Sequence, residues 1–456
     1  LLIRSVSGVR GLIVNEVTPD LARRYGLAFA RLAPGEIALG WDSRPGGEAL
    51  KEAVAAGIMA GGARVVDLGV APTPTVGLVV KRHGLAGGVV VTASHNPEEY
   101  NGLKFFSSRG VFLLADEAAR LFEAVDGDTV SPEAVRPGSR PDPERTRRLD
   151  DAVGEHLSVV MGSQFVDAAA VAAARPRVVV DCVNAAGSVI LPRLLKELGC
   201  EVVELSTDMG SGFTREAEPT PTHLGELSRV VVEEGAAAGF ACDPDADRLA
   251  IVDESGTAIG EELTLAIASR VVLEKKRGPL VANVSTSRMM DDLALEFAVP
   301  IHRTPIGEIN VVAKMEEVGA VVGGEGNGGV ILPDVHMGRD AATAAALVAS
   351  GLSSEESGRV SALAGRFRPY VSVKRKLELP SVTREGIVDA MTAAFPEGEP
   401  DLMDGAKIAW PDRWIHARMS GTEPVVRFIA EAASAEDAEK LVERAISAVT
   451  DAAEGA

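Results

Sequence analysis

From residue 36 onward, short apolar runs alternate with longer amphipathic stretches. Ile37–Trp41 predicts a strand, Gly47–Ala60 a helix and Arg64–Leu68 a second strand. Pro72 and Pro74 then break the chain; a helical stretch runs to about His83, followed by the apolar strand Gly88–Thr92. The plan recurs. Arg177–Asp181 reads as a strand, Ser188–Leu198 as a helix and Glu201–Leu205 as a strand; after Pro219 and Pro221 come a helix to about Glu234 and a strand over 238–242. A third copy runs from the strand Leu280–Val284 through a helix ending near Phe297, then past Pro305 to a helix over 308–317 and a strand over 320–322. From the Thr-Pro step to a polar loop the spacing is 20 residues (Pro74 to Ser94), 22 (Pro221 to Asp243) and 20 (Pro305 to Glu325). Three copies of one α/β unit, each delivering a polar loop at the same strand end, form an internal repeat. Ligands gather where the C-terminal ends of such strands open, so the three loops are expected to meet in one cleft.

Asp126–Arg145 is rich in Pro, Gly and charge and reads as a linker; Ala-rich helical sequence is expected over 147–174. Tyr370–Leu379 alternates like an exposed strand, Arg427–Ala430 is another short strand, and Ser434 with Asp437 caps a closing amphipathic helix. The expected fold class is therefore α/β: three structurally similar α/β sheet domains plus a smaller C-terminal α+β domain, around a central active-site cleft. The expected boundaries are 1–145, 146–256, 257–367 and 368–456.

Composition narrows the function. A chain of 456 residues, 46% hydrophobic and 25% charged, has room for several sizeable cores. A net charge of −20 with 4% aromatic residues argues against a nucleic-acid surface and against anionic membranes. Cys182, Cys200 and Cys242 lack metal-ligand spacing, the opening residues show no basic-apolar leader, and no run approaches a membrane span. The expectation is a cytoplasmic protein, monomer or homodimer, whose partner is a small molecule. An anionic substrate would have to be caught by a local cluster of Arg and Lys.

Four loops carry candidate chemistry. Asp243, Asp245 and Asp247 alternate beside Arg248; on an extended strand they would share one side. Three carboxylates together call for a cation, and hard oxygens suit Mg²⁺ or Ca²⁺. An EF-hand is rejected, because its glycine position holds Arg248 and the flanks read as strands. Ser94 and His95 are adjacent at a strand end, where side chains point apart, and no Gly-x-Ser-x-Gly elbow exists; a phosphoryl-transfer serine suits the pattern better than a hydrolase. Lys104, flanked by Leu103 and Phe105, has the setting of a partly desolvated general acid or base. Gly324–Gly329 matches Gly-x-Gly-x-x-Gly, but Glu325 would face the phosphates of a dinucleotide and a strand-like run follows; Glu325 suits sugar hydroxyls instead. Arg418–Pro424, with Arg427 beyond, offers a guanidinium, the hydroxyls of Ser420 and Thr422, and a turn at Gly421, which together have the composition of a phosphate cradle.

Taken in order, Thr92–Pro97, Asp243–Arg248, Gly324–Gly329 and Arg418–Pro424 resemble the phosphoserine, metal, sugar-specificity and phosphate-binding loops of the α-D-phosphohexomutase family, over essentially the whole chain. The resemblance implies that Ser94 carries a phosphoryl group, and that Mg²⁺ is held by Asp243, Asp245, Asp247 and a phosphate oxygen on Ser94. The phosphoenzyme would convert a hexose monophosphate to a hexose 1,6-bisphosphate, which turns over and returns its other phosphate. By the same resemblance Arg10, His95, Lys104 and Arg248 would be catalytic, with Arg10 where the family has an Arg near the phosphoserine; Thr304, Gly307, Glu325, Asn327, Arg418, Ser420, Gly421, Thr422 and Arg427 would bind substrate.

One departure stands out. Many members read Gly-Glu-x-Ser-Gly-His in the sugar loop, whereas here Asn327 replaces Ser and Gly329 stands in place of His, leaving His336 as a candidate substitute. The sugar expected first is glucosamine phosphate, then mannose and glucose phosphates. A metal-dependent sugar phosphatase and a non-catalytic sugar-phosphate sensor are the competing readings.

Overall fold

The structure, a computed structural model, describes residues 2–127, 142–379, 382–420 and 425–454. It folds as two compact units, residues 1–276 with 327–364, and residues 277–326 with 365–456.

Unit one holds two whole sheets and the antiparallel strand pair Gly329–Leu332 with His336–Arg339. In the first, the strands run Ile3–Ser5, Gly8–Leu12, Tyr100–Ser107, Gly87–Val91, Glu36–Trp41, Arg64–Val70, Thr146–Arg148 from edge to edge. Helices cover both faces, so its central strands are apolar on both sides. Ile37, Leu39, Val89 and Val91 face the helices Pro19–Leu32, Gly47–Ala60 and Ala115–Asp126, while Ala38, Val66 and Val90 face Thr73–His83. The first two helices cross closely: a Cβ on Gly26 would lie 2.4 Å from the Val54 carbonyl oxygen, and one on Gly57 2.1 Å from that of Arg23. The second sheet runs Leu249–Asp253, Ala238–Cys242, Arg177–Asp181, Glu201–Leu205.

In unit two, Val322–Glu325, Leu280–Asn283 and Ile301–Thr304 lie side by side and parallel. The repeat is visible in the strand order. In each copy the strand bearing the polar loop pairs with the copy's first strand, which pairs with its second, all parallel. In the first two copies an antiparallel strand follows the loop and pairs with the loop-bearing strand. The remaining sheet of unit two is antiparallel, ordered Val371–Glu378, Val425–Ala432, Trp414–Met419, Ala406–Ala409, Glu399–Asp401, and is packed by the helices Arg384–Ala394 and Ala435–Glu454.

Local expectations shift in several places. The stretch 147–174 is not wholly helical: Thr146–Arg148 adds a parallel strand beside Arg64–Val70, and helices occupy Ala152–Gly162 and Ala168–Ala174. Pro192 lacks the N–H that an interior helical turn needs, so Ser188–Leu198 splits into a 3-10 turn at Ala186–Val189 and a helix at Leu191–Glu197. The strand expected over 320–322 lies at Val322–Glu325, which puts Glu325 on the strand itself. Most of the expected linker, 128–141, lies outside the described residues.

Candidate active site

Asp243, Asp245 and Asp247 are fully buried, and one carboxylate oxygen from each lies within 4.8 Å of the others. They do not converge by strand alternation. The strand ends at Cys242, and a turn follows in which Ala246 takes a left-handed backbone (φ 53°). The turn is pinned through its own carbonyls. Thr73 N–H donates to Asp245 (2.9 Å), Ala186 N–H to Pro244 (3.0 Å) and Ala341 N–H to Ala246 (3.1 Å). Each donor sits at or just before the start of a helix, where N–H groups have no partner within the helix.

The outer carboxylate oxygens are taken by side chains. Lys104 Nζ donates to Asp245 Oδ2 (2.6 Å) and Asp247 Oδ2 (3.0 Å), Thr73 Oγ1 to Asp245 Oδ2 (2.5 Å), and Arg339 Nη2 to Asp247 Oδ2 (2.7 Å). Asp245 Oδ1 and Asp247 Oδ1 are buried with no hydrogen-bond partner, a costly arrangement for carboxylates. Two orphaned anionic oxygens beside a third carboxylate fit a hard cation such as Mg²⁺.

Electrostatics agree. Burial and the neighbouring Asp247 and Asp245 carboxylates push Asp243 well above the ordinary carboxylate range. Burial would raise Asp247 too, but Arg339, Lys104 and Arg248 pull it down. Burial would lower Lys104, yet Asp245 and Asp247 hold it above its ordinary value. Among these carboxylates, Lys104 stands as a cation.

Ser94 is buried, with its Oγ donating to Asp243 Oδ2 at 3.2 Å. Its own backbone is left-handed, so the strand-end geometry expected for Ser94 and His95 does not apply: His95 Nδ1 comes within 3.4 Å of Ser94 Oγ. Arg248 Nη2 donates to that same ring nitrogen at 2.9 Å, and Nη1 to Glu218 at 3.0 Å. Burial, with Arg248 and Arg10 alongside, keeps His95 well below its ordinary value and hence neutral. Arg10 donates to Asn96 Oδ1 at 3.0 Å. His336 is buried against the helix Thr73–His83, and burial lowers it to about 4, which leaves a neutral ring.

Unit two carries all but one of the remaining candidates. Glu325 Oε1 accepts from Asn283 Nδ2 (2.8 Å) and from Gly307 N–H (3.1 Å), so this oxygen is already held by the chain. Gly307 has φ 119°, a backbone that suits glycine, immediately before the helix Glu308–Val318. Thr304 is buried and its hydroxyl turns to the Pro305 carbonyl (2.9 Å). Arg418 and Arg427 face each other across paired strands; Arg418 is half-buried with Asp404 Oδ1 3.9 Å away, and Arg427 is exposed. Burial lowers Arg418, with Asp404 opposing. Ser420 N–H closes the turn on Val425 (2.8 Å); Gly421 and Thr422 lie outside the described residues. Asn327, in unit one, caps its turn by accepting from Gly329 N–H at 3.3 Å.

Matches to known proteins cover the chain from end to end. Domains I, II and III of phosphoglucomutase/phosphomannomutase, each described as alpha/beta/alpha, match residues 2–130, 155–256 and 260–370, and the C-terminal domain matches 378–448. The chain belongs to the phosphoglucomutase/phosphomannomutase family. It is 37% identical over 440 residues to a probable phosphoglucosamine mutase of Methanopyrus kandleri, covering 95% of each chain. It is 34% identical to a phosphoglucomutase/phosphomannomutase of Thermococcus kodakarensis, covering 98% of each. Among solved structures, a phosphoglucomutase/phosphomannomutase family protein of Burkholderia thailandensis superposes with a TM-score of 0.82 at 27% identity, covering 100% of this chain and 99% of that one. Among the described residues no helix is long and apolar enough to cross a membrane.

Within this site, sequence reasoning missed Thr73 and Arg339. Thr73 belongs to the first Thr-Pro step, which was read as a chain break and a marker of the repeat, not as part of the site. Arg339 stands 92 residues beyond Asp247 with no motif around it; the Arg-Asp pair just before an Ala-rich helix, with Asp340 as the cap, was the available signal.

Proposed function

We propose that this protein is a phosphohexomutase that interconverts hexose 6-phosphate and hexose 1-phosphate, with glucosamine phosphate as its sugar. The observation that carries the reading is the Ser94 hydroxyl set 3.2 Å from Asp243 inside a buried triad of carboxylates. In the resting form Ser94 carries the phosphoryl group. The bond from Ser94 Oγ to phosphorus breaks as the free sugar hydroxyl bonds to phosphorus; overall, the hydroxyl proton passes to Ser94 Oγ. The product is a hexose 1,6-bisphosphate, which reorients and returns its other phosphoryl group to Ser94.

Asp243, Asp245 and Asp247 would hold Mg²⁺, which when bound supplies neutralising charge at the phosphoryl oxygens. Lys104, Arg339 and Arg248 bring fixed positive charge to the same place, needing no reorganisation during transfer. Glu325 and Asn327 would meet sugar hydroxyls, while Arg418, Ser420, Gly421, Thr422 and Arg427 would hold the phosphate not in transit. Thr304 and Gly307 would shape the sugar loop, with Gly307 acting through Glu325. The choice of glucosamine is supported by the name of the Methanopyrus kandleri relative; mannose and glucose phosphates are the alternative, supported by that of the Thermococcus kodakarensis relative.

The test incubates the protein with Mg²⁺ and glucose 1,6-bisphosphate and follows intact mass, then compares turnover of glucosamine, mannose and glucose phosphates. One added phosphate that maps to Ser94, with fastest turnover of glucosamine phosphate, is expected. Release of inorganic phosphate without isomerisation would replace the mutase reading by a phosphatase.

A further inference from the structure

Ser94 holds a left-handed backbone (φ 52°), which a non-glycine residue keeps only where its surroundings dictate it. Those surroundings trace to two side chains with no role in the reaction described above. Asp42 and Arg44 follow the strand Glu36–Trp41, and both are buried, at 0% and 1% exposure. They form an ion pair, with Arg44 Nε donating to Asp42 Oδ2 at 2.8 Å. From this pair, contacts reach both sides of Ser94. Arg44 Nη2 donates to the Ser94 carbonyl (2.5 Å), and Nη1 to the Tyr100 carbonyl (2.8 Å), which fixes the far end of the same loop. On the other side, Thr92 Oγ1 donates to Asp42 Oδ2 (2.5 Å) and accepts from Ser94 N–H (2.8 Å). The Ser94 N–H and C=O are thus both routed to one carboxylate. The Arg44 guanidinium also lies 5.3 Å from the Phe213 ring centre.

We infer that Asp42 and Arg44, acting through Thr92, are positioning residues that impose the left-handed turn at Ser94 and so aim its Oγ at Asp243. They touch neither the Oγ nor the carboxylate triad. The planar fork of Arg44 is what spans Asp42, Ser94 and Tyr100 at once; a lysine has the charge but a single donor head and cannot. This inference rests on the reading of Ser94 as phosphoryl carrier.

The experiment measures the rate at which glucose 1,6-bisphosphate phosphorylates Ser94 in the full-length protein with Mg²⁺, by intact mass, together with Mg²⁺ affinity, KM for sugar phosphate and thermal midpoint. Arg44→Lys is expected to slow phosphorylation by about 10²-fold, the cost of an ångström-scale misplacement, with Mg²⁺ affinity and KM within about twofold of wild type. Thr92→Val and Thr92→Ser are nearly isosteric and keep the fold testable if Arg44→Lys does not fold: Val should slow phosphorylation and Ser restore it. A folded Arg44→Lys or Thr92→Val protein that phosphorylates Ser94 at the wild-type rate overturns the positioning role. Wild type that never takes a phosphate on Ser94 overturns instead the phosphoryl-carrier reading on which it rests.

Discussion

The two units treat their charges differently. Around Asp243, Asp245 and Asp247 in unit one the charged groups are nearly all buried and bonded to one another: Lys104 to two carboxylates, Arg339 to one, Arg248 to His95 and Glu218. In unit two, Arg427 is exposed and Arg418 half-buried, facing each other across two paired strands. The first arrangement costs desolvation and gains fixed geometry, which suits groups that must meet developing charge without reorganising. The second keeps its donors accessible, which suits a grip that must accept and release phosphate. Chemistry is expected to fail in unit one and binding in unit two.

Ser94→Ala tests that division most severely. It removes the proposed phosphoryl acceptor, and kcat should fall by at least about 10³-fold with the fold intact. A Ser94→Ala protein retaining a tenth of wild-type turnover would move the chemistry elsewhere. Asp245→Asn should lower kcat by about 10²-fold or more and weaken Mg²⁺ binding in titration calorimetry; chelation of wild type should abolish turnover, and Mg²⁺ should restore it. Arg339→Met should lower kcat by about 10- to 10²-fold with KM little changed, because the charge it removes lies on Asp247 rather than on the substrate. Arg418→Ala should do the reverse and raise KM by about tenfold or more with a smaller effect on kcat. A pure kcat loss in Arg418→Ala would erase the distinction between the units.

A further effect bears on stability, not turnover, and concerns Lys407, buried in unit two with Nζ donating to the Val284 carbonyl (2.6 Å) and lying 4.4 Å from the Trp414 ring centre. Burial, with Arg303 nearby, lowers it to about 7 from an ordinary 10.5. Between those values the unfolded chain holds a proton that the folded chain does not, so this group makes stability rise with pH, by up to about 1.4 kcal/mol per pH unit. The penalty is full below about pH 7 and gone above pH 10.5. Denaturant unfolding from pH 7 to 10 should therefore show a shallower rise in Lys407→Met than in wild type. Equal slopes would mean that Lys407 keeps its proton in the fold.

What could be read from the sequence was what is local. The parallel strands announced themselves as short apolar runs because both sheet faces are covered, and the repeat followed from their spacing. The aspartates were legible as a cation site, although the reason given was wrong: Pro244 and the left-handed Ala246 turn the chain, so convergence comes from a turn held by three distant N–H groups. Such contacts span more than fifty residues and leave no periodic trace. Arg339 and Thr73 were missed for the same reason, as was the tie from Asp42 to Ser94, whose partners lie 50 residues apart or more. The neutrality of His95 and His336 is also collective, since burial sets it and no residue's neighbours in sequence report burial.

The return of residues 327–364 to unit one has a consequence for the order of events on the ribosome. The segment brings Arg339, the cation on Asp247, and Ala341, which pins the Ala246 carbonyl. A nascent chain that has emerged only through residue 276 holds the triad without either of them. Synthesis must reach past position 341, through a stretch that belongs to the other unit, before the acidic cluster has all of its balancing partners. Domains that are continuous in sequence can fold as they emerge, from the N-terminus onward. Here the last stitch of the first unit waits for most of the gene to be translated.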